Sequence, residues 1–150
     1  LQHFLDYARE AISINPSDTY LTAVVGVKIA AAGHWDEGRR LVHKASSLNP
    51  FLPSWHYTAD SLYFFCNQDF EAALEAAKHI NSPSLSGPNP RTALYGPMGL
   101  NEEARQELKL VLGINPHFPK SYKELTRRIF FDASLVSALL HGFSRAGLPS

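Results

Sequence analysis

The segment GHWDEG at residues 33–38 joins two apolar helical patterns, the second of which ends at Asn49-Pro50. Gly33 can adopt the left-handed conformation that terminates a helix, and Pro50 lacks the N–H that a continuing helix needs. The segment therefore predicts a helical hairpin. Its helix A covers residues 17–32, with Ser17 or Asp18 as the cap, and its helix B covers residues 35–48.

The features of this hairpin recur along the chain. Prolines at positions 16, 50, 83 and 116 follow one another at a nearly constant interval, and each closes an apolar pattern after Asn or Ser. Two helix A positions repeat at the same interval: Gly26, Ala59 and Thr92, and Ile29, Leu62 and Tyr95. A constant interval of this length is the sequence signature of a helical-repeat architecture.

The period divides residues 1–150 into parts of a single all-α domain. A partial repeat (1–16, helix 2–14) precedes repeats at 17–50, 51–83 and 84–116, and capping helices occupy 117–150. The predicted helices of the later parts are 53–66 with 69–80, 91–98 with 101–114, and then 119–130 and 133–146. Because the chain opens on Leu1 inside a helical pattern, we expect a fragment of a longer protein.

Residues 33–38 with Ala45 and Pro50, restated at 69–74 and 99–104, resemble the tetratricopeptide repeat family. The resemblance covers residues 2–116 and implies a right-handed superhelical solenoid of antiparallel helix pairs. Gly38 stands where the family prefers Ala. Ala73 lies nearer to Pro83 than Gly38 and Ala104 lie to their own prolines, which predicts a longer A–B turn and a shorter helix B in the second unit.

The tail carries a narrower resemblance. Its segments 127–131, 139–143 and 145–149, together with 94–96 and 115–118, are similar to the end of bacterial proteins in which such repeats follow an adenylate/guanylate cyclase or a winged-helix transcription-regulator domain. Neither domain is in this sequence. The resemblance implies a regulatory module of a cytoplasmic signalling protein, or a periplasmic one if the parent is membrane-anchored.

The charge composition limits the kinds of partner that we expect. The 14 Lys and Arg balance 14 Asp and Glu, so we expect no direct binding of nucleic acid or of membranes. The zero net charge divides into +3 for residues 117–150 and −3 for the rest. Lys120, Lys123 and Arg127 share one helical face, which is either a contact for an acidic partner or, as we favour, a solvated face.

No pattern predicts catalysis or a cofactor. The seven histidines are dispersed without metal-ligand spacing, and no phosphate-binding loop follows a strand. The single Cys66 lies among phenylalanines, which favours a buried structural thiol over a nucleophile. We therefore expect a non-enzyme without metal or cofactor.

The inner face of the A helices is the predicted binding surface. Its first stripe is Tyr20, Ala23, Val27 and Ala30, and a shift by one repeat gives Pro53, His56, Asp60 and Tyr63, then Ser86, Asn89, Ala93 and Gly96. The predicted partner-binding residues are Tyr20, Val27, His56, Asp60, Tyr63 and Asn89. Such a surface suits an apolar or amphipathic peptide or another part of the parent chain, unless neighbouring helices or a second copy fill it.

Three functions stay open from the sequence. The first is a regulatory protein-interaction module, and the second is a homodimerisation module that uses the nearly uncharged helix at 20–33. The third is a stand-alone peptide-binding adaptor. The last helix has an apolar face that we expect to cap the repeats, since a terminal repeat must cover its open side. This face consists of Leu135, Val136, Leu139, Leu140 and Phe143.

Overall fold

The computed structural model describes residues 2–81, 90–96 and 98–149, and this part of the chain contains nine α-helices and no strand. The prediction of an all-α protein is thus confirmed. The helices are α1 (Gln2–Ile14), α2 (Thr19–Ala31), α3 (Trp35–Leu48), α4 (Thr58–Cys66), α5 (Phe70–Lys78), α6 (Pro90–Tyr95), α7 (Asn101–Ile114), α8 (Phe118–Ile129) and α9 (Ala133–Arg145). The predicted turn at Ser82-Pro83 and the residues Ser86, Asn89 and Pro97 lie outside the described residues.

The helix ends follow from the local sequence. Asp18 is the N-cap of α2, and its Oδ1 accepts the Leu21 N–H at 2.9 Å. Gly33 ends the same hairpin arm with φ +93°, a left-handed conformation that glycine adopts without steric cost. Asp69 and Asp132 cap α5 and α9 in the same way as Asp18.

The second unit differs from its prediction in two respects. A 3-10 helix, Ser54–Tyr57, occupies the start of the predicted helix A, so α4 begins only at Thr58. Helix α5 is shortened as predicted, with 9 residues against the 14 of α3. The longer A–B turn is wrong, because three residues separate α4 from α5, as they do α2 from α3. Gln68 takes the left-handed conformation there, with φ +60°.

Consecutive helices pack in pairs: α2 on α3, α4 on α5, and α6 on α7. Helix α4 also contacts α2 and α3, and α6 contacts α4 and α5. The α2–α3 contact is close because both helices present glycine, Gly26 and Gly38. A Cβ on Gly38 would lie 2.5 Å from the Ala30 nitrogen, which explains why Gly occupies the position where the resembled family prefers Ala.

The C-terminal segment folds back over the pairs. Leu135, Leu139 and Phe143 of α9 are buried in the main core, together with residues of α4, α6 and α7. Between α8 and α9, the Phe131 N–H donates to the Ala31 carbonyl at 3.2 Å, at the end of α2. The apolar face predicted to cap the repeats is therefore packed, but the segment around it reaches the first unit instead of only covering the third.

Candidate functional site

The predicted inner face of the first unit is mostly interior. Ala23 and Ala30 are 0% and 1% exposed, so at these two positions the alternative that neighbouring helices fill the surface is the correct one. Ala23 belongs to a core cluster at the end of α3, and Ala30 packs between α3 and α4 with Val27 partly buried beside it. Small side chains occur here because the helices approach closely. Only Tyr20 of this stripe is well exposed.

In the second unit, Asp60 and Tyr63 connect α4 to α3 through one arginine. The Arg39 Nε lies 2.6 Å from Asp60 Oδ1, and its guanidinium carbon lies 3.9 Å from the centre of the Tyr63 ring. The His43 Nε2 approaches Asp60 Oδ2 at 2.8 Å. The carboxylate is thus already engaged inside the chain, which makes it a helix–helix link first and a contact for a partner second.

His56 is also tied to neighbouring groups. Its Nδ1 lies 2.9 Å from the Pro53 carbonyl oxygen, and its ring lies 4.2 Å from that of Tyr57. Tyr57 in turn stacks on His79 at 4.7 Å, which joins the 3-10 helix to the end of α5. His56 and Tyr57 are partly buried and His79 is exposed, so this row of rings links the start of the second unit to the end of α5.

The third unit's predicted inner face is covered by α9. Ala93 is buried, and a Cβ placed on Gly142 would lie 2.1 Å from the Ala93 carbonyl oxygen. Gly96 meets the same turn of α9, because its own Cβ would lie 2.9 Å from the Gly142 carbonyl oxygen. For this unit the alternative that a neighbouring helix fills the surface is the correct one. Asn89 lies outside the described residues.

One group of exposed apolar side chains lies where the first hairpin ends; others, on α1, α7 and the segment before α9, are Tyr7, Ile14, Leu110, Ile114 and Phe131. We define the edge patch as Tyr20, Leu48 and Phe51, whose exposed fractions are 54%, 64% and 91%. Asn49 links the two segments that carry these residues: its amide donates to the Thr19 hydroxyl at 3.1 Å, and its Oδ1 accepts the Phe51 N–H at 3.0 Å.

Trp55 packs against this patch. Its ring lies edge-on to that of Tyr20, with the ring centres 5.7 Å apart. The sequence reasoning identified Tyr20 but missed Leu48 and Phe51. The available signal was their position on either side of Asn49-Pro50, where a helix ends and the chain must run over the surface.

Charged groups outside the patch are partly paired. Arg9 of α1 and Glu37 of α3 form a two-point ion pair, with Nη2–Oε2 at 2.8 Å. The hydrogen bond from Arg9 holds the pKa of the Glu37 carboxyl below its usual range. In contrast, Lys120, Lys123, Arg127 and Arg128 of α8 form no ion pair with any residue that the structure describes.

Cys66 is exposed at the end of α4, so the prediction of a buried thiol is wrong. Partial desolvation by the surrounding chain, with a smaller contribution from the Asp132 carboxylate, raises its pKa to about 11. The thiol is therefore protonated at neutral pH and a poor nucleophile. Among the described residues, no three His, Cys, Asp or Glu side chains could together hold a metal ion.

No helix in the described part of the chain is both long and apolar enough to cross a membrane. Comparisons with protein-family models, with curated proteins and with solved structures found no match. The site must therefore be interpreted from its own geometry, which offers an apolar edge patch, an internally satisfied set of polar residues and an unpaired basic helix.

Proposed function

We propose that this chain is a non-catalytic protein-interaction module with tetratricopeptide-like helix pairs stacked as a solenoid. Its role would be regulatory, in a larger bacterial signalling protein that carries a cyclase or a winged-helix domain. The pairing of α2 with α3, α4 with α5 and α6 with α7, at the regular spacing of the sequence repeats, supports the repeat architecture. The similarity of the tail segments supports the class of parent protein.

The edge patch is the observation that carries the interaction role. Large apolar side chains that are exposed singly are common, but these three lie on segments that Asn49 links beside Trp55, which makes them a preorganised contact surface. Aromatic anchors of this kind dominate the binding energy of protein interfaces. In this proposal Tyr20 keeps its predicted role, whereas Asp60 and Tyr63 link α4 to α3 through Arg39, away from the edge patch.

Site-specific crosslinking tests this function. A photoreactive benzoylphenylalanine replaces Phe51 in the chain with its natural flanking sequence, and in a matched control it replaces Arg40, which is exposed on the same helix pair. We expect a discrete adduct at position 51 that weakens when Tyr20→Ser and Leu48→Ser are added. Equal labelling at both positions, or labelling at 51 that ignores these two substitutions, contradicts the proposal.

The same experiment distinguishes the homodimerisation alternative. On helix α2, Tyr20 is exposed, and Val24 and Val27, which follow it on the same face, are partly exposed. If a dimer pairs this face and the edge patch beside it, the adduct at position 51 would have twice the mass of the chain. An adduct with a different protein, or with a preceding domain of the parent, supports the regulatory module. A free peptide segment as the adduct would favour the stand-alone adaptor.

A further inference from the structure

The surface between α8 and α9 contains an open cleft that neither the repeats nor the edge patch use. Its volume is about 410 Å3. Phe130, Val136 and Leu140 supply buried or half-buried apolar walls, and Arg127, Ala133 and Ser137 stand exposed around them. The cleft thus combines an apolar interior with a cationic rim.

The charge on this rim is not neutralised by the chain. Arg127 makes no hydrogen bond or ion pair within the described residues, and Lys120 and Lys123 continue its face along α8. Of the two carboxylates of the tail, Asp132 is occupied at the start of α9, where it accepts from Leu135 and Ser134. Glu124 is exposed and pairs with none of these cations in the described part.

The cleft and the basic stripe beside it, which we define as Lys120, Lys123 and Arg127, together determine what kind of ligand could bind here. The cleft takes an apolar side chain, while the unpaired guanidinium beside it takes a carboxylate, to which arginine can donate two parallel hydrogen bonds. The stripe from Lys120 to Arg127 extends roughly 10 Å along α8, given the rise of about 1.5 Å per residue in a helix. A small carboxylate can fill the cleft but cannot follow the stripe, whereas a peptide can do both.

We propose that this cleft docks a short acidic amphipathic peptide segment of a partner protein. One apolar side chain of the peptide enters between α8 and α9, a neighbouring carboxylate pairs with Arg127, and further acidic residues lie along Lys123 and Lys120. The site lies on α8 and α9 and does not depend on the edge patch of α2 and α3. It also gives a role to the basic face that the sequence favoured as merely solvated.

Two adjacent arginines provide a charge-matched test in the whole chain. The probe is a fluorescein-labelled peptide that alternates glutamate with leucine and phenylalanine, and binding is followed by fluorescence anisotropy. Because Arg127 lines the cleft and Arg128 does not, we expect Arg127→Ala to weaken binding about tenfold and Arg128→Ala less than about twofold. Filling the cleft with Ser137→Trp, at an exposed helical position, should abolish binding without lowering the melting temperature.

The control probes decide between sources of affinity. A peptide with serine in place of its leucine and phenylalanine, or glutamine in place of glutamate, should bind at least about tenfold more weakly. Equal weakening by Arg127→Ala and Arg128→Ala would overturn the proposal in favour of general charge attraction. No binding of the amphipathic probe at millimolar concentration would also overturn it. Binding to phosphatidylserine vesicles with the same dependence on Arg127 would assign the site to a lipid surface instead.

Discussion

At two glycine contacts the main chains of two helices approach closely, and these contacts join helices at very different distances along the chain. In the first, Gly26 of α2 meets Gly38 of α3, the next helix along the chain. In the second, Gly142 of α9 lies against Ala93 of α6, with α7 and α8 between them in the sequence. Both contacts are closer than a β-carbon allows, so the main chains of the paired helices touch.

The difference shows what makes the fold one unit. The α2–α3 contact lies within one hairpin, whereas the α6–α9 contact joins the C-terminal segment to a helix from the middle of the chain. Helix α6 (Pro90–Tyr95) packs against α9 as well as against α7. The tail also reaches α1, where Phe131 packs on Phe4 with ring centres 5.9 Å apart. The tail is therefore as integral to the core as the pairs are.

The largest expected effect is that of Gly142→Ala. The added methyl would lie 2.1 Å from the Ala93 carbonyl oxygen and 2.8 Å from its carbon, so α9 must move off α6. We expect a loss of about 3 kcal/mol in the free energy of unfolding, near the upper end for overpacked sites. Urea denaturation followed by circular dichroism measures it.

Gly113→Ala is the matched control for that variant. Gly113 also lies in a helix, but nothing surrounds its Cβ position within 4 Å. Alanine should therefore stabilise α7 by about 0.5–1 kcal/mol. If Gly142→Ala behaved like Gly113→Ala, the tail would not be held on α6 as the structure has it.

Gly38→Ala is the second test and addresses the local contact. The resembled family prefers alanine here, so the resemblance alone favours a gain in stability. The structure gives the opposite sign, because the methyl would lie 2.5 Å from both the Gly26 oxygen and the Ala30 nitrogen. We expect a loss of about 2 kcal/mol in the free energy of unfolding. A higher melting temperature than that of the parent chain would contradict the close approach of α2 and α3.

The difference between the two contacts also shows which features could be predicted from the sequence: local ones could, and contacts between distant segments could not. The bounds of α1, α3 and α7 follow from helical periodicity and from terminating Asn-Pro pairs, and they coincide with the predictions. Capping by Asp18 and the shortening of α5 could also be predicted from the sequence, because each depends on residues within one or two helical turns. Local signals therefore predicted which segments are helical.

The binding surface was harder to predict from the sequence, because it depends on contacts between distant segments. No period relates α9 to α6, so the sequence predicted that the last helix caps the repeats but not that it covers Ala93. Likewise, the partner of Asp60 is Arg39, which lies on a different helix. A stripe of residues on one helix predicts a shared face but not what the rest of the chain places against it, and the exposed Leu48 and Phe51 fell outside the stripe.

Asp60→Ala tests the ion pair between α3 and α4, and its expected effect on stability is intermediate. The substitution leaves the half-buried Arg39 guanidinium without its carboxylate, which should lower the free energy of unfolding by about 1–2 kcal/mol. The control is Glu75→Gln, which removes the exposed partner of Lys78 and should cost clearly less than Asp60→Ala, because an exposed ion pair contributes little to stability. Equal losses for the two variants would show that Arg39 and Asp60 do not link α3 to α4.

The smallest expected effect on stability is that of substitutions at Asp132. This residue is the N-cap of α9 and follows Phe131, whose N–H bonds to the end of α2. Its Oδ1 accepts the Leu135 N–H at 2.8 Å, so Asp132→Ala should cost about 1 kcal/mol of unfolding free energy, as loss of an N-cap does. Hydrogen bonds from Ser134 and then Leu135 hold the pKa of Asp132 below its usual range. The charge-dependent part of this stability is therefore present above the ordinary pKa of Asp and disappears as the pH falls toward the lower folded pKa.

Asp132→Asn separates the cap from the charge, because asparagine caps helices about as well as aspartate but does not titrate. We expect Asp132→Asn to lose less stability than Asp132→Ala at neutral pH, and its difference from the parent chain to shrink as the pH is lowered below the ordinary pKa of Asp, about 4. Thermal unfolding across this pH range measures both. A difference that stays constant with pH would mean that only the geometry of the cap, and not its charge, holds α9 where Gly142 can meet Ala93.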